Sequence, residues 1–267
     1  MADANGRPVA LITGASGGIG EKLAYEIAAT GYTVVLTARS ETELNRVSGV
    51  MTAKLGANAI AIPADISDPS SIDELLAELK ERALQVDVLV NNAGFGLNGP
   101  ATELNRKQQT NMIDLNVRGL TDLTLQLLPY MQARGSGGVI NLSSMAAFMP
   151  GPYMAVYYAT KAYVLSFTEA LASELDGSGV TVCAACPGPV DTGFQSRARM
   201  ENALVIKTMP KEPPEDVAAA IWAGFQARKT VIVPGFSNKM LTVLVNFIPR
   251  KVLLAMIKRL QAPSDDL

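Results

Sequence analysis

Seven short runs of apolar and β-branched residues, each followed by a helix-length segment, constrain this chain's fold more than any other feature. The runs occupy residues 9–13, 33–37, 59–63, 87–91, 138–142, 181–185 and 230–233. Each is short, apolar and bounded by turn residues, as strands buried on both faces are. Between them lie amphipathic stretches near 21–29, 41–55, 70–83, 108–132, 157–176 and 214–228. A strand reaches a parallel neighbour only through a long crossover, and such crossovers are right-handed. The expected class is therefore α/β, a doubly wound seven-stranded parallel sheet with helices on both faces. Two helix starts carry their own signals. Ser40 with Glu43 makes a capping box, and Asp68-Pro69 puts proline at the first helical position.

Residues 1–267 are expected to form one domain, with a core at about 7–236 and a helical extension at 237–262. Hydrophobic residues make up 48% and charged residues 18%, which places the chain far from disordered composition. With 23 basic and 25 acidic residues and no basic run, nothing suits a phosphate backbone, so no nucleic-acid partner is expected. The apolar stretch 9–12 is too short for a signal sequence, and the expected location is cytoplasmic. The apolar region 240–260 is broken by Asn246, Pro249, Arg250, Lys251 and Lys258, so it cannot span a bilayer.

Histidine is absent, and that excludes much chemistry. Cys183 and Cys186 form a CxxC, but no second soft-ligand pair exists to complete a zinc site, and no metal is expected. In a strand, residues three apart point to opposite faces, so the two thiols read as core.

The segment Thr13-Gly14-Ala15-Ser16-Gly17-Gly18-Ile19-Gly20 follows the first strand and opens the first helix. Gly14 permits the tight turn, Gly18 lets backbone approach a pyrophosphate, and Gly20 lets helix and strand pack closely. Residues 14–18 also match the GxSxG nucleophile elbow of hydrolases, but that serine needs a histidine base. Glu21 stands where a phosphate-loop lysine would be required. Dinucleotide binding survives. At the end of the second strand an acid would accept from a ribose 2′-hydroxyl, whereas an arginine invites a 2′-phosphate. Ala38 stands at the acid's place and Arg39 follows, with Glu41 read as a first-turn helix residue, so NADP(H) is the expected cofactor.

Tyr157 and Lys161 stand four apart on one predicted helix face. A nearby ammonium stabilises a phenolate, and in a chain without histidine such a tyrosine is the natural proton-transferring group.

In order along the chain, residues 13–20, Asp65, Asn91-Asn92-Ala93-Gly94, Asn116, Asn141-Leu142-Ser143-Ser144, Tyr157–Lys161 and Pro187-Gly188 resemble the short-chain dehydrogenase/reductase family, over roughly residues 7 to 233. The resemblance implies a Rossmann fold and an oxidoreductase interconverting a ketone and a secondary alcohol. It implies Tyr157 as general acid in carbonyl reduction, and Lys161 holding the nicotinamide ribose while lowering the tyrosine pKa. Ser144, which stands 13 residues before Tyr157 as is usual in the family, orients the carbonyl, with Ser143 as its rival. Asn116 holds a water in a proton relay. The cofactor contacts implied are Gly14, Ser16, Gly18, Ile19, Gly20 and Arg39, then Asp65 and Ile66 at the adenine, and Asn92, Ala93 and Gly94 beside its ribose. Tyr157, Lys161, Pro187, Gly188, Val190 and Thr192 complete the set, the last two toward the nicotinamide amide. A catalytically silent, nucleotide-sensing relative is the alternative, and an intact tyrosine, lysine and serine set argues against it.

The residues after these turns that would line a substrate pocket are mostly apolar: Phe95, Leu97, Met145, Phe148, Met149, Tyr153 and Met154, then the loop 193–210. A hydrophobic ketone or acyl-type carbonyl, or the corresponding alcohol, suits them better than a sugar. Arg197, Arg199 and Lys207 are candidates for meeting a carboxylate or carrier phosphate.

Beyond the last strand, Leu241, Leu244, Val245 and Ile248 recur at helical spacing, as do Val252, Leu253, Met256, Ile257 and Leu260 after Pro249. Two short helices are expected, their stripes buried over the substrate cleft or in a homodimer or homotetramer contact, with peripheral membrane contact through 237–262 as the alternative.

Overall fold

The computed structural model describes residues 3, 6–198, 200 and 203–262, without the side chains of 205 and 206. Seven strands form one parallel sheet in the order β3-β2-β1-β4-β5-β6-β7. They are β1 (Val9–Thr13), β2 (Thr33–Thr37), β3 (Ala59–Ala61), β4 (Val86–Asn91), β5 (Gly137–Leu142), β6 (Val180–Ala185) and β7 (Val231–Ile232). The order reverses between β1 and β4, and at that switch the carboxyl ends of the strands leave a crevice. β3 stops earlier than its apolar run, because Pro63 has no N–H to continue a ladder.

One face of the sheet is covered by α1 (Gly18–Ala29), α2 (Glu41–Leu55) and α9 (Pro214–Gln226), the other by α3 (Pro69–Glu81), α5 (Leu120–Arg134) and α6 (Ala155–Glu174). Strand side chains alternate between two cores, so Ala10 and Ile12 join the first and Val9 and Leu11 the second. The helix starts follow their local chemistry. Asp68 accepts from the Ser70 N–H ahead of Pro69, and Ser40 accepts from Glu43 N, while the Glu43 carboxylate turns to Arg46 and so closes only half the capping box.

The helix expected over 108–132 is divided. α4 (Arg106–Ile113) passes through a π-helical turn at Asp114–Gly119 before α5 begins. The widened turn aims Asn116 inward, where it is buried. A Cβ on Gly119 would run into the carbonyl of Ile66, so this turn packs directly on the end of β3's loop.

Cys183 and Cys186 lie in different apolar clusters, as the period-two reading requires, and both are free thiols that burial pushes up in pKa. Among the described residues no cluster of potential metal ligands occurs and no helix is long and apolar enough to cross a membrane. The small helices α7 (Phe194–Arg197) and α8 (Leu204–Thr208) precede α9, and α10 (Phe236–Leu244) and α11 (Arg250–Gln261) form the expected C-terminal pair.

Candidate active site

A cleft of about 850 Å³ runs along the carboxyl ends of the strands, from the glycine loop at one end to α10 and α11 at the other. The loop between β1 and α1 is held in place by Asn92, whose amide donates to the carbonyls of Thr13 and Gly14 at 2.9 and 3.1 Å. The Thr13 hydroxyl in turn accepts from the N–H groups of Asn92 and Ala93, both at 3.0 Å. These contacts leave no room at Gly14, where a Cβ would sit 2.8 Å from the Asn92 amide and φ is +65°. Gly20 lies behind the cleft wall, so close to Asn92 and the Gly14 carbonyl that only a missing side chain allows the approach. α1 has no side-chain cap, so its first N–H groups face the cleft. A glycine cradle ending in uncapped helix N–H groups fits a pyrophosphate.

Arg39, exposed at the rim beside Ala38 and Ser40, forms no salt bridge among the described residues, while Glu41 stands in the first turn of α2. Asp65 also lines the cleft. Its carboxylate accepts from the backbone and hydroxyl of Ser67 at 2.9 and 2.6 Å, with Ile66 on the wall beside it. Ser16, Gly18, Ile19, Ala93, Gly94, Pro187, Gly188, Val190 and Thr192 complete this part of the wall.

A buried polar ladder fixes the strand ends beneath the reacting groups. The Asn91 amide donates to Thr124 on α5 and to Asn141 on β5, and the Asn141 amide donates to Thr168 on α6. β5 therefore delivers Ser143 and Ser144 in one register, and their hydroxyls part ways. Ser143 is buried and donates to the Lys161 carbonyl at 2.8 Å, so it is committed to the backbone of α6. Ser144 faces the cleft beside Tyr157, and its hydroxyl accepts from Ala146 N.

Burial raises the Tyr157 pKa above its ordinary value, and the hydrogen bond with Ser144 opposes that rise without cancelling it. Lys161 is buried, donates from Nζ to the Leu142 carbonyl at 2.6 Å, and lies 5.8 Å from the Tyr157 ring centre. Burial pulls its pKa down to about 8, with the neighbouring Cys186 acting the other way. Lysine-induced lowering of the tyrosine pKa is thus not what this arrangement displays. Burial dominates both groups, and the phenol is held protonated. Asn116 sits behind the wall. Its Oδ1 accepts from Phe95 N at 3.1 Å, and its amide donates to Phe95 O and the Thr160 hydroxyl.

The apolar end of the cleft includes Phe95, Leu97, Met145, Met149 and Met154 as expected. Tyr153 and Phe148 do not line it. Tyr153 adopts a left-handed backbone, φ 65°, and its carbonyl accepts from Gly99 N, while Phe148 packs into the core. Arg197 reaches the cleft, Lys207 does not, and Arg199 lies outside the described residues. Phe194 of the loop 193–210 and Leu241, Ile257 and Leu260 of the C-terminal stripes form part of the wall in keeping with the sequence reading, whereas Tyr158 and Gln261 were not expected there. Gln261 follows Leu253 and Ile257 at helical spacing, which is the signal that marks it.

The comparisons agree with this geometry. Residues 8–203 match the family model for short chain dehydrogenase. The chain belongs to that family. It is an oxidoreductase of the short-chain dehydrogenase type. It is 36% identical over 215 residues to a 3-oxoacyl-[acyl-carrier-protein] reductase of Synechocystis sp., covering 80% of this chain and 87% of that protein. Ketoacyl reductase HetN of Nostoc sp. is 32% identical over 242 residues, covering 90% and 78%. A short-chain dehydrogenase from Sphingobium yanoikuyae, solved in complex with NADPH, superposes with a TM-score of 0.79 at 29% identity, covering 91% of this chain and 96% of the other.

Proposed function

We propose that this chain is an NADP(H)-dependent carbonyl reductase that interconverts a hydrophobic ketone or acyl-type carbonyl and its secondary alcohol, with Tyr157 as general acid and base. The observation that carries the reading is one cleft that brings Tyr157, Ser144 and Lys161 together and presents Arg39, which forms no salt bridge among the described residues, at its far end. The NADPH bound by the Sphingobium neighbour and the ketoacyl substrates named for two relatives point the same way.

Bound NADPH supplies a hydride to the carbonyl carbon. Gly14, Ser16, Gly18 and Ile19 would hold its pyrophosphate, Arg39 its 2′-phosphate, and Asp65, Ile66, Asn92, Ala93 and Gly94 its adenosine side. Pro187, Gly188, Val190 and Thr192 would hold the nicotinamide side. The Ser144 hydroxyl donates to the substrate oxygen and orients it. Tyr157, kept protonated by burial, then gives its proton to the developing alkoxide, which is general acid catalysis. Lys161 presents a cation beneath the site for the ribose hydroxyls, and Asn116 fixes Phe95 and Thr160 around it as a positioning residue. Met145 and Met149 adapt the pocket to an apolar substrate.

An exposed apolar row on the α4–α6 side, Ile113, Leu125, Tyr130 and Tyr163, supports a homo-oligomer through that face. The test of the function is a panel of apolar and polar ketones with NADPH and NADH, followed by nicotinamide absorbance. Turnover of apolar ketones with NADPH is expected. NADPH binding without turnover of any carbonyl or alcohol would favour the silent, nucleotide-sensing alternative.

A further inference from the structure

The C-terminal helices present two apolar faces, and only one is used by the fold. The inner face of α10 and α11, with Leu241, Val245, Leu253 and Ile257, packs on the cleft and its neighbouring core. The outer face carries Phe236, Met240, Val243 and Phe247, spaced at i, i+4, i+7 and i+11, so they form one stripe. Phe236 is 81% exposed and Phe247 79%. On α11, Val252 and Met256 are likewise exposed. Leu244, Val252 and Met256, expected to be buried over the cleft, in a subunit contact or on a membrane, are half exposed on the domain itself, because a helix apolar on two sides can bury only one against it.

The charge on this segment is as one-sided as its hydrophobicity. Residues 236–262 hold five cations, Lys239, Arg250, Lys251, Lys258 and Arg259, and no carboxylate, in a chain of net charge −2. All five side chains are exposed. Asp265 and Asp266 follow outside the described residues. A two-fold contact through this face would set cations against cations, which argues against a second copy as its occupant. Exposed aromatic and aliphatic side chains among unopposed cations complement an anionic lipid surface instead.

We propose that the outer face of α10 and α11 docks on anionic lipid, with Phe236 and Phe247 entering the headgroup boundary and the five cations meeting lipid phosphates. The helices lie on the bilayer, since neither is long and apolar enough to cross it. Because the same helices line the cleft with their inner faces, docking brings its apolar end to the lipid surface. This last consequence rests on the carbonyl-reductase reading, whereas docking itself does not.

The test is flotation of the full chain with vesicles of phosphatidylcholine alone and of phosphatidylcholine mixed with phosphatidylglycerol, at low and high salt. Binding only to the anionic vesicles and release by salt are expected. Phe236→Ser with Phe247→Ser should abolish binding, and Lys251→Gln with Lys258→Gln should weaken it about 30-fold. Circular dichroism and NADPH binding, which these exposed positions do not serve, control for the fold. No binding of the unmodified protein to anionic vesicles would overturn the proposal, as would binding that the double serine variant retains. A dimer in free solution that the serine variant dissociates, without any vesicle binding, would assign the face to a second copy. Loss of turnover with vesicle binding intact would count against the reductase reading alone.

Discussion

The side-chain amide of Gln261 donates to the hydroxyl of Tyr158 at 2.7 Å, joining the last helical residue to the first turn of the reacting helix. Both are buried, and Gln261 also accepts from the Asn98 amide through its backbone carbonyl at 3.1 Å. At its other end the C-terminal segment is pinned by Asn238, whose amide donates to Glu212 and to the Pro234 carbonyl. The cover over the cleft is thus fastened at two points, and the apolar stripes between them are what it buries.

Gln261→Ala leaves the Tyr158 hydroxyl buried without a partner, which costs about 1–3 kcal/mol. The expected outcome is a lowered melting temperature, faster proteolysis after Phe236 and a raised KM for apolar substrates with kcat little changed. Tyr158→Phe removes the other partner, so the double variant should lose less than the sum of the two singles. Strict additivity in that cycle would show that the bond does not couple the two helices.

Tyr157→Phe removes the proton donor and keeps the ring against Phe194, whose centre lies 5.4 Å away. A fall in kcat of about 10²–10⁴-fold is expected, with NADPH affinity preserved in a fluorescence titration. Residual turnover near the unmodified level would remove Tyr157 from its assigned role.

The sheet was legible because its strands are buried on both faces and read as uninterrupted apolar runs, and the glycine loop because its spacing is tied to strand–turn–helix context. Ser144 was preferred to Ser143 by spacing alone, and the bond from the Ser143 hydroxyl to the Lys161 carbonyl is a contact that no sequence spacing reveals. Other features lay beyond the sequence for identifiable reasons. The π-turn at 114–119 is a single widened turn inside an otherwise α-helical stretch, too short to mark the apolar pattern around it. Tyr153 was placed on the pocket wall, and its left-handed backbone, unusual for tyrosine, has no local sequence signal. Burial reverses the expected sense of the Tyr157 shift, and desolvation of that kind depends on every layer packed above the ring.

Arg39→Ala tests the cofactor choice. Charge-assisted bonds from a guanidinium to phosphate contribute about 1.5–3 kcal/mol, so NADPH affinity should fall about 10- to 100-fold while NADH affinity stays level. Arg39→Asp should further raise NADH affinity by supplying an acceptor for the 2′-hydroxyl. Equal affinity of the unmodified protein for both cofactors would refute the NADP(H) preference.

Lys161 gives the cofactor-free protein a pH dependence of defined sign. Its folded-state pKa is lowered by burial to about 8, against an ordinary value of 10.5. Below pH 8 the lysine is protonated in both states, and the folded chain bears the full cost of enclosing the ammonium. Between about pH 8 and 10.5 the unfolded chain holds the proton that the folded chain has released, so this group makes stability rise with pH, by roughly 3 kcal/mol at most. The buried groups Cys183, Cys186 and Tyr157 act in the opposite sense, since their raised pKa values keep protons on the folded chain at pH values where the unfolded chain has lost them. Their contribution falls away as pH climbs above the ordinary values of 9.0 for the thiols and 10.0 for the phenol. The net gain should therefore be clearest between pH 8 and 9, before the thiols begin to offset it. Lys161→Met keeps the length of the buried side chain and removes its charge. Urea denaturation at a series of pH values should show the unmodified protein gaining stability relative to Lys161→Met across that window. Parallel curves for the two proteins would mean that Lys161 keeps its ordinary pKa in the folded chain, and that the enclosed ammonium is paired well enough to offset its burial.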